Sequence, residues 1–214
     1  MSDHAGIDVT NVTAWLDAHI EGARGPYTFG LIAGGHSNLT FGVQDAADNH
    51  FVLRRPPLGH VLASAHDMSR EHRIISGLQN SSVPVAPALG FCDDLDVNGA
   101  PFYVMSYVDG NVVHDLDEAR STLSVEARDN ASRSLVDTMA TIHSVDLDAT
   151  GLTDLGRHEG YIARQLKRWY SQWNQGKTRE LEAVDRVHAA LAARIPDQGP
   201  ATIVHGDYRL DNRM

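Results

Sequence analysis

The sequence predicts an α+β protein built as two unequal halves, and three observations predict it. Up to about residue 108, short runs of β-branched and aromatic residues alternate with polar or glycine-bearing turns. From 109 to Pro196, apolar residues recur at helical spacing. A β-branched run, Ala201 to Val204, then leads into the polar octet His205-Gly206-Asp207-Tyr208-Arg209-Leu210-Asp211-Asn212. Composition sets the outer bounds: 214 residues, 42% of them hydrophobic, suffice for a buried core. A formal charge of −10 without a Lys/Arg stripe argues against a nucleic acid or an anionic membrane as the main partner. The single cysteine, Cys92, excludes an internal disulfide and suits a reducing compartment. No leader-like segment opens the chain, and no apolar run reaches the ~18 residues of a membrane span, so a cytoplasmic location is expected. Oligomeric state is not legible.

Val9, Val12, Leu16 and Ile20 predict an amphipathic helix near 9–21, with Thr10 or Asn11 as its cap and Gly22 as its end. Tyr27 to Ala33 and the alternation Leu39, Phe41, Val43 predict two strands around Gly34-Gly35-His36-Ser37-Asn38. Glycines there let backbone amides approach phosphate oxygens, with Ser37 and Asn38 adding polar contacts, although many such turns only connect strands. His50 to Arg55 predicts a third strand with Val52 and Arg54 on one face and Phe51, Leu53 and Arg55 on the other. Met68, Ile75 and Leu78 predict a helix over 64–78 that carries Glu71. Pro84 and Pro87 bracket a loop into Ala88-Leu89-Gly90-Phe91, Asp93 to Gly99 reads as a turn, and Phe102 to Tyr107 as another strand. The change of character at Asp109-Gly110 divides the chain into 1–108 and 109–214.

Ser124 caps a predicted helix through His143, whose stripe is Ala131, Leu135, Met139 and Ile142. His143 is expected to pack rather than ligate. A turn-rich connector precedes a helix over Tyr161 to Gln175, where Ile162, Leu166, Trp169 and Trp173 form a stripe expected in the core or against the other half. Leu181, Val184, Val187, Leu191 and Ile195 mark the last helix before Pro196.

The octet carries the chemistry. A carboxylate and a carboxamide five residues apart on a loop suit phosphoryl transfer, with Asp207 accepting a hydroxyl proton and Asn212 holding a metal on nucleotide phosphates. Two other readings stand beside it. Asp and Asn cap turns with their own side chains, and His205 with Asp207 could ligate the metal of a hydrolase, though the 12 histidines are scattered without a His-x-x-x-His pair near acids.

The octet's spacing resembles the catalytic loop of the protein-kinase-like phosphotransferases, and its His-Gly-Asp opening resembles the aminoglycoside/choline phosphotransferase branch. Gly-Leu-Thr-Asp-Leu-Gly-Arg at 151–157 and Tyr-Ile-Ala-Arg-Gln-Leu-Lys-Arg-Trp at 161–169 are similar to a subgroup found alone or fused to acyl-CoA dehydrogenase domains. The resemblance runs from about residue 9 to the end and implies a bilobal kinase-like fold, an incomplete C-lobe, and ATP and Mg²⁺ as cofactors. The implied acceptor is a hydroxyl on a small molecule, a hydroxyacyl thioester as readily as an aminoglycoside. By the same resemblance Gly34, Gly35, Ser37 and Asn38 cover the phosphates and Val52 lines the adenine pocket. Arg54 stands where the family carries Lys and pairs with Glu71, with Arg55 as the fallback. Ser106, Tyr107 and Val108 form the hinge that reads adenine through backbone groups, Asp207 is the base, and Asn212 is a Mg²⁺ ligand. Arg keeps the charge of Lys but is planar and forked. The family's second metal-binding aspartate would fall about 15 to 20 residues beyond Asn212 by the kinase order. The sequence therefore reads as a truncated enzyme of low turnover, with a non-catalytic nucleotide-binding scaffold as the alternative.

Overall fold

A computed structural model describes residues 5–33, 38–59 and 66–212. Helix α1 (Val9–His19) is capped by Asp8, whose carboxylate accepts from the Asn11 amide, rather than by Thr10 or Asn11. An acceptor one residue before the first helical turn satisfies its free N–H groups, which Asn11, already inside the helix, cannot do. Strands β1 (Thr28–Ala33), β2 (Leu39–Gln44) and β3 (His50–Arg55) follow, then α2 (Met68–Leu78), β4 (Ala88–Cys92), the short helix α3 (Leu95–Asn98) and β5 (Phe102–Ser106). Asp67 caps α2, so that helix begins later than 64; residues 64 and 65 lie outside the described chain.

The five strands form one antiparallel sheet in the order β1-β2-β3-β5-β4. Strand alternation gives the sheet two different faces. Phe41, Val43, Leu53, Phe102 and Val104 pack against Val12, Leu16 and Ile20 of α1 and form the main core. The opposite face carries Phe91 and Tyr103, and α2 lies there against β4 and β5, with His72 stacked on Phe91. Burial lowers the His72 pKa, which keeps the ring neutral in that apolar seat.

The remaining helices are α4 (Leu116–Thr122), α5 (Val125–His143), α6 (Tyr161–Gly176) and α7 (Glu182–Ala192). Ser124 caps α5 as its sequence implies. Helix α4 is too short for an apolar period to announce it, and Asp115 caps it. A second core joins Leu78 and Val83 to Ile142 and Leu152, with Ile203 and Tyr208 packed alongside. The stripe of α6 is not core. Neither α6 nor α7 has a buried residue among those described, and Trp169 is 61% exposed. Residues 201–204, whose β-branched run leads one to expect a strand, form none and join no described sheet; Ile203 packs against the second core while Val204 is exposed. No helix among the described residues is long and apolar enough to cross a membrane.

Candidate active site

On β3, His50, Val52 and Arg54 share the face away from the main core. The register places Arg54 beside Thr40 of β2 and Tyr103 of β5, and Val52 beside Gly42 and Met105. Glu71, in the first turn of α2, faces this strand, and Arg54 Nε lies 3.1 Å from its Oε2. Both side chains are about one-third exposed, at 35% and 31%. Arg54 Nε itself is buried, and its N–H is not aligned on the carboxylate or on any other described acceptor. Its short distance to Glu71 is therefore charge pairing without a formed hydrogen bond.

Other residues hold Glu71. Asn38 Nδ2 donates to Oε1 at 2.7 Å, and the Tyr103 hydroxyl donates to Oε2 at 3.1 Å. Asn38 Oδ1 in turn meets His66 Nδ1 at 2.7 Å. Both polar ends of the buried Asn38 amide are thus engaged within the protein. Burial, with the nearby Glu71 carboxylate, raises the Tyr103 pKa far above neutrality, so it remains a donor. Gly34, Gly35 and Ser37 lie outside the described residues.

The two adjacent arginines separate cleanly. Arg55 turns to the opposite face, is 7% exposed, and donates to the carbonyls of Gly6, Pro56 and Asn98. It ties the N-terminal segment to α3.

Gly30 and Gly42 are cross-strand partners on the Val52 face. A Cβ at Gly30 would meet no atom within 4 Å, whereas one at Gly42, beside Val52, would meet the Ile32 side chain at 3.3 Å. A recess of about 270 Å³ opens at this end, lined by Thr28, Gly30, Gly42, Gln44, His50 and Tyr107 among others. At the β5 exit, the Ser106 amide donates to Pro87 O at 2.9 Å and the Tyr107 amide to His50 O at 3.4 Å. Val108, 41% exposed, is the first residue of that exit whose amide makes no hydrogen bond among the described residues.

The Asp207 loop closes on itself. Gly206 takes φ +83°, a region where only glycine is at ease, and so turns the chain after the extended 201–205 segment. Asn212 Nδ2 donates to Asp207 Oδ2 at 2.8 Å and to Asp207 O at 3.0 Å, and Arg209 Nε lies 3.8 Å from Asp207 Oδ1. The Asp207 amide donates to His205 Nδ1 at 3.4 Å, so His205 braces the turn. The loop is anchored from beneath: Tyr208 donates to Leu135 O and Thr202 to His143 O. His143 is exposed and lines a second recess with Met139, Ile142, Val204 and His205 instead of packing in a core.

No hydrogen bond or ion pair among the described residues joins Arg54, Glu71 or Asn38 to Asp207 or Asn212. Helix α2 connects the two groups mechanically. Its first turn holds Glu71, while Ile74 and Leu78 share a core with Ile203 and Tyr208. Arg73 pairs with Asp154 and donates to Gly151 O at 2.9 Å. Gly77 lets the chain pass so closely that a Cβ there would stand 2.8 Å from Thr150 O.

The donor sets can be tested for fit to a nucleotide and its metal. Arg54 offers a buried guanidinium N–H without a hydrogen bond among the described residues, which suits an anionic oxygen nearby. Asn212, with Nδ2 turned to Asp207, has its Oδ1 to offer to a Mg²⁺ whose shell phosphates and water would complete. Among the described residues no three His, Cys, Asp or Glu side chains gather as a metal-binding group, so the His205/Asp207 pair lacks the third ligand of a hydrolase there.

An antiparallel sheet with a charged strand–helix pair and a loop joining Asp to Asn defines the class of the phosphotransferases. A family profile described as the phosphotransferase enzyme family matches residues 28–214, and the chain belongs to that family. It is 36% identical over 202 residues to acyl-CoA dehydrogenase family member 10 of Mus musculus, covering 92% of this chain and 19% of that protein. Acyl-CoA dehydrogenase family member 11 of Rattus norvegicus is 32% identical over 212 residues, covering 96% of this chain and 27% of that protein. A solved Ralstonia eutropha structure named for the aminoglycoside phosphotransferases superposes with a TM-score of 0.81 at 33% identity, covering 97% of this chain and 60% of the other. The chain thus spans about a fifth to a quarter of these curated relatives. The fold is that of the kinase-like aminoglycoside phosphotransferases.

Sequence reasoning missed Tyr103, His66, Gly30 and Gly42. Their place depends on β3 pairing with β5 past β4 and on the β1–β2 register, which no local pattern states.

Proposed function

We propose that this chain forms the nucleotide-binding and catalytic-loop part of a small-molecule kinase that transfers the γ-phosphate of ATP to a hydroxyl group. The observation that carries the reading is the Arg54–Glu71 pair on the sheet face away from the main core, with Arg54 one-third exposed and its Nε making no hydrogen bond among the described residues. Arg54 would hold phosphate oxygens, Val52 would line the base, and the backbone of 106–108 would read its edge. Asp207 would orient the acceptor hydroxyl and take its proton as the bond to phosphorus forms. Asn212 would present its Oδ1 to Mg²⁺, since its Nδ2 is turned to Asp207. Mg²⁺ would supply charge neutralisation on the transferred phosphoryl group.

The acceptor is a hydroxyl-bearing small molecule, a hydroxyacyl compound as readily as an aminoglycoside; the relatives are named as acyl-CoA dehydrogenase family members and the solved neighbour for the aminoglycoside phosphotransferases. Asn212 is the one Mg²⁺ ligand that this reading assigns, so turnover by this chain alone is expected to be low, while binding persists. One feature favours a second reading, a nucleotide-binding scaffold: Arg54 stands in the position of the family's lysine.

Equilibrium binding of ATP with and without Mg²⁺, followed by ADP release over a panel of hydroxylated acceptors, tests the proposal. Mg²⁺-strengthened binding and acceptor-dependent ADP release are expected. Binding indifferent to Mg²⁺ with no release on any acceptor would favour the scaffold, and no nucleotide binding at all would overturn both.

A further inference from the structure

We propose that Tyr103 and Asn38 are positioning residues that keep the Glu71 carboxylate from closing on Arg54, and so leave the guanidinium available to an anionic ligand. The proposal rests on the nucleotide-binding reading above. A carboxylate facing an arginine settles into aligned, often bidentate hydrogen bonds. Here that alignment is absent although Arg54 Nε stands 3.1 Å from Glu71 Oε2. Two other donors are aligned on the carboxylate instead, Asn38 on Oε1 and the Tyr103 hydroxyl on Oε2, and they set the plane in which its remaining lone pairs point. Neither donor can drift. Tyr103 is 2% exposed and sits directly across the β3–β5 ladder from Arg54, while Asn38 is 6% exposed and held from behind by His66. The helix beneath Glu71 is fixed farther along by Arg73 on Gly151 and Asp154 and by Leu78 in the second core, so only the carboxylate itself can turn toward Arg54 once a donor is removed. The guanidinium is therefore kept in place by charge through its buried Nε, while the exposed third of the side chain is left to meet phosphate.

Tyr103→Phe removes one oxygen and leaves the ring. We expect it to let Glu71 align with Arg54 and weaken ATP binding about tenfold, the scale of one hydrogen bond to a charged group. The discriminating arm is a double-mutant cycle with Glu71→Ala. Once the carboxylate is gone, Tyr103→Phe is expected to change affinity by less than about twofold. A purely structural tyrosine would weaken binding by the same factor in both backgrounds, and that result overturns the proposal, as does unchanged affinity in Tyr103→Phe. Asn38→Ala in the same cycle is expected to show the same coupling and carries the test should Tyr103→Phe fail to fold. Absence of ATP binding by the unsubstituted chain would instead remove the underlying reading; binding by it, with variants indistinguishable from it, removes this inference alone.

Discussion

Around Glu71 the partners come from far along the chain, whereas around Asp207 they come from the same loop. Asn38 and Tyr103 lie 33 and 32 residues from Glu71, one just before β2 and the other on β5, and the site they form is part-buried. Asn212 lies five residues from Asp207, and the Asp207 side chain is 69% exposed. The first arrangement is rigid because three elements must agree on it. The second is free to rearrange around a ligand, because its hydrogen bonds compete with water. On the proposed reading the first is a preorganised site for phosphate and the second an adaptable loop for the acceptor, and substitutions in the two regions should fail in different ways.

The largest effect is expected in the loop. Asp207→Asn keeps the shape but removes the proton acceptor, and should lower kcat by a factor of about 10² to 10⁴ while leaving the ATP dissociation constant and Tm unchanged. Steady-state ADP release with a binding isotherm checks it; a matching loss of affinity would erase the contrast between the regions. Arg54→Met should do the reverse, weakening ATP binding by about tenfold or more through loss of a charge-assisted hydrogen bond. Arg55→Met should act on stability instead, since Arg55 faces the carbonyls of Gly6 and Asn98. If Arg55→Met lowered affinity more than Arg54→Met, the assignment of the two faces would be reversed.

The loop was legible in the sequence because its chemistry is local: Asp, Asn and the glycine turn fall within eight residues. Arg54 and Glu71 were also legible, one from strand alternation and one from helical spacing. Tyr103 was not. Its role follows from a strand pairing that skips β4, and its own neighbours, Phe102 and Val104, read only as core. The α6 stripe misled for a related reason: helical spacing tells which residues share a side, but only tertiary packing decides whether that side is covered.

A smaller effect probes the bridge between the regions. Gly77→Ala would push a Cβ to within 2.8 Å of Thr150 O, so α2 must shift. Overpacking of this kind costs about 1–3 kcal/mol. Chemical denaturation should show it, together with weaker ATP binding because Glu71 moves with the helix. Full stability with normal binding would mean that α2 does not couple the two sites.

The smallest effect concerns Asp154. Its hydrogen bond from Arg73 holds its carboxyl below the ordinary value of 3.8. The pair therefore stabilises the fold above that value and is lost as the pH falls through the depressed one. Asp154→Asn should lower Tm modestly at neutral pH and match the unsubstituted chain in strong acid. A Tm difference that persisted unchanged into acid would show that the charge pair is not its source.

The most direct test of the central claim is a crystal structure with Mg²⁺ and a non-hydrolysable ATP analogue. The account predicts phosphate oxygens within hydrogen-bonding distance of Arg54, with Glu71 still held by Asn38 and Tyr103, and Mg²⁺ on Asn212 Oδ1 beside Asp207. A triphosphate bound away from Arg54, or metal and phosphates that leave Asn212 and Asp207 untouched, would contradict it.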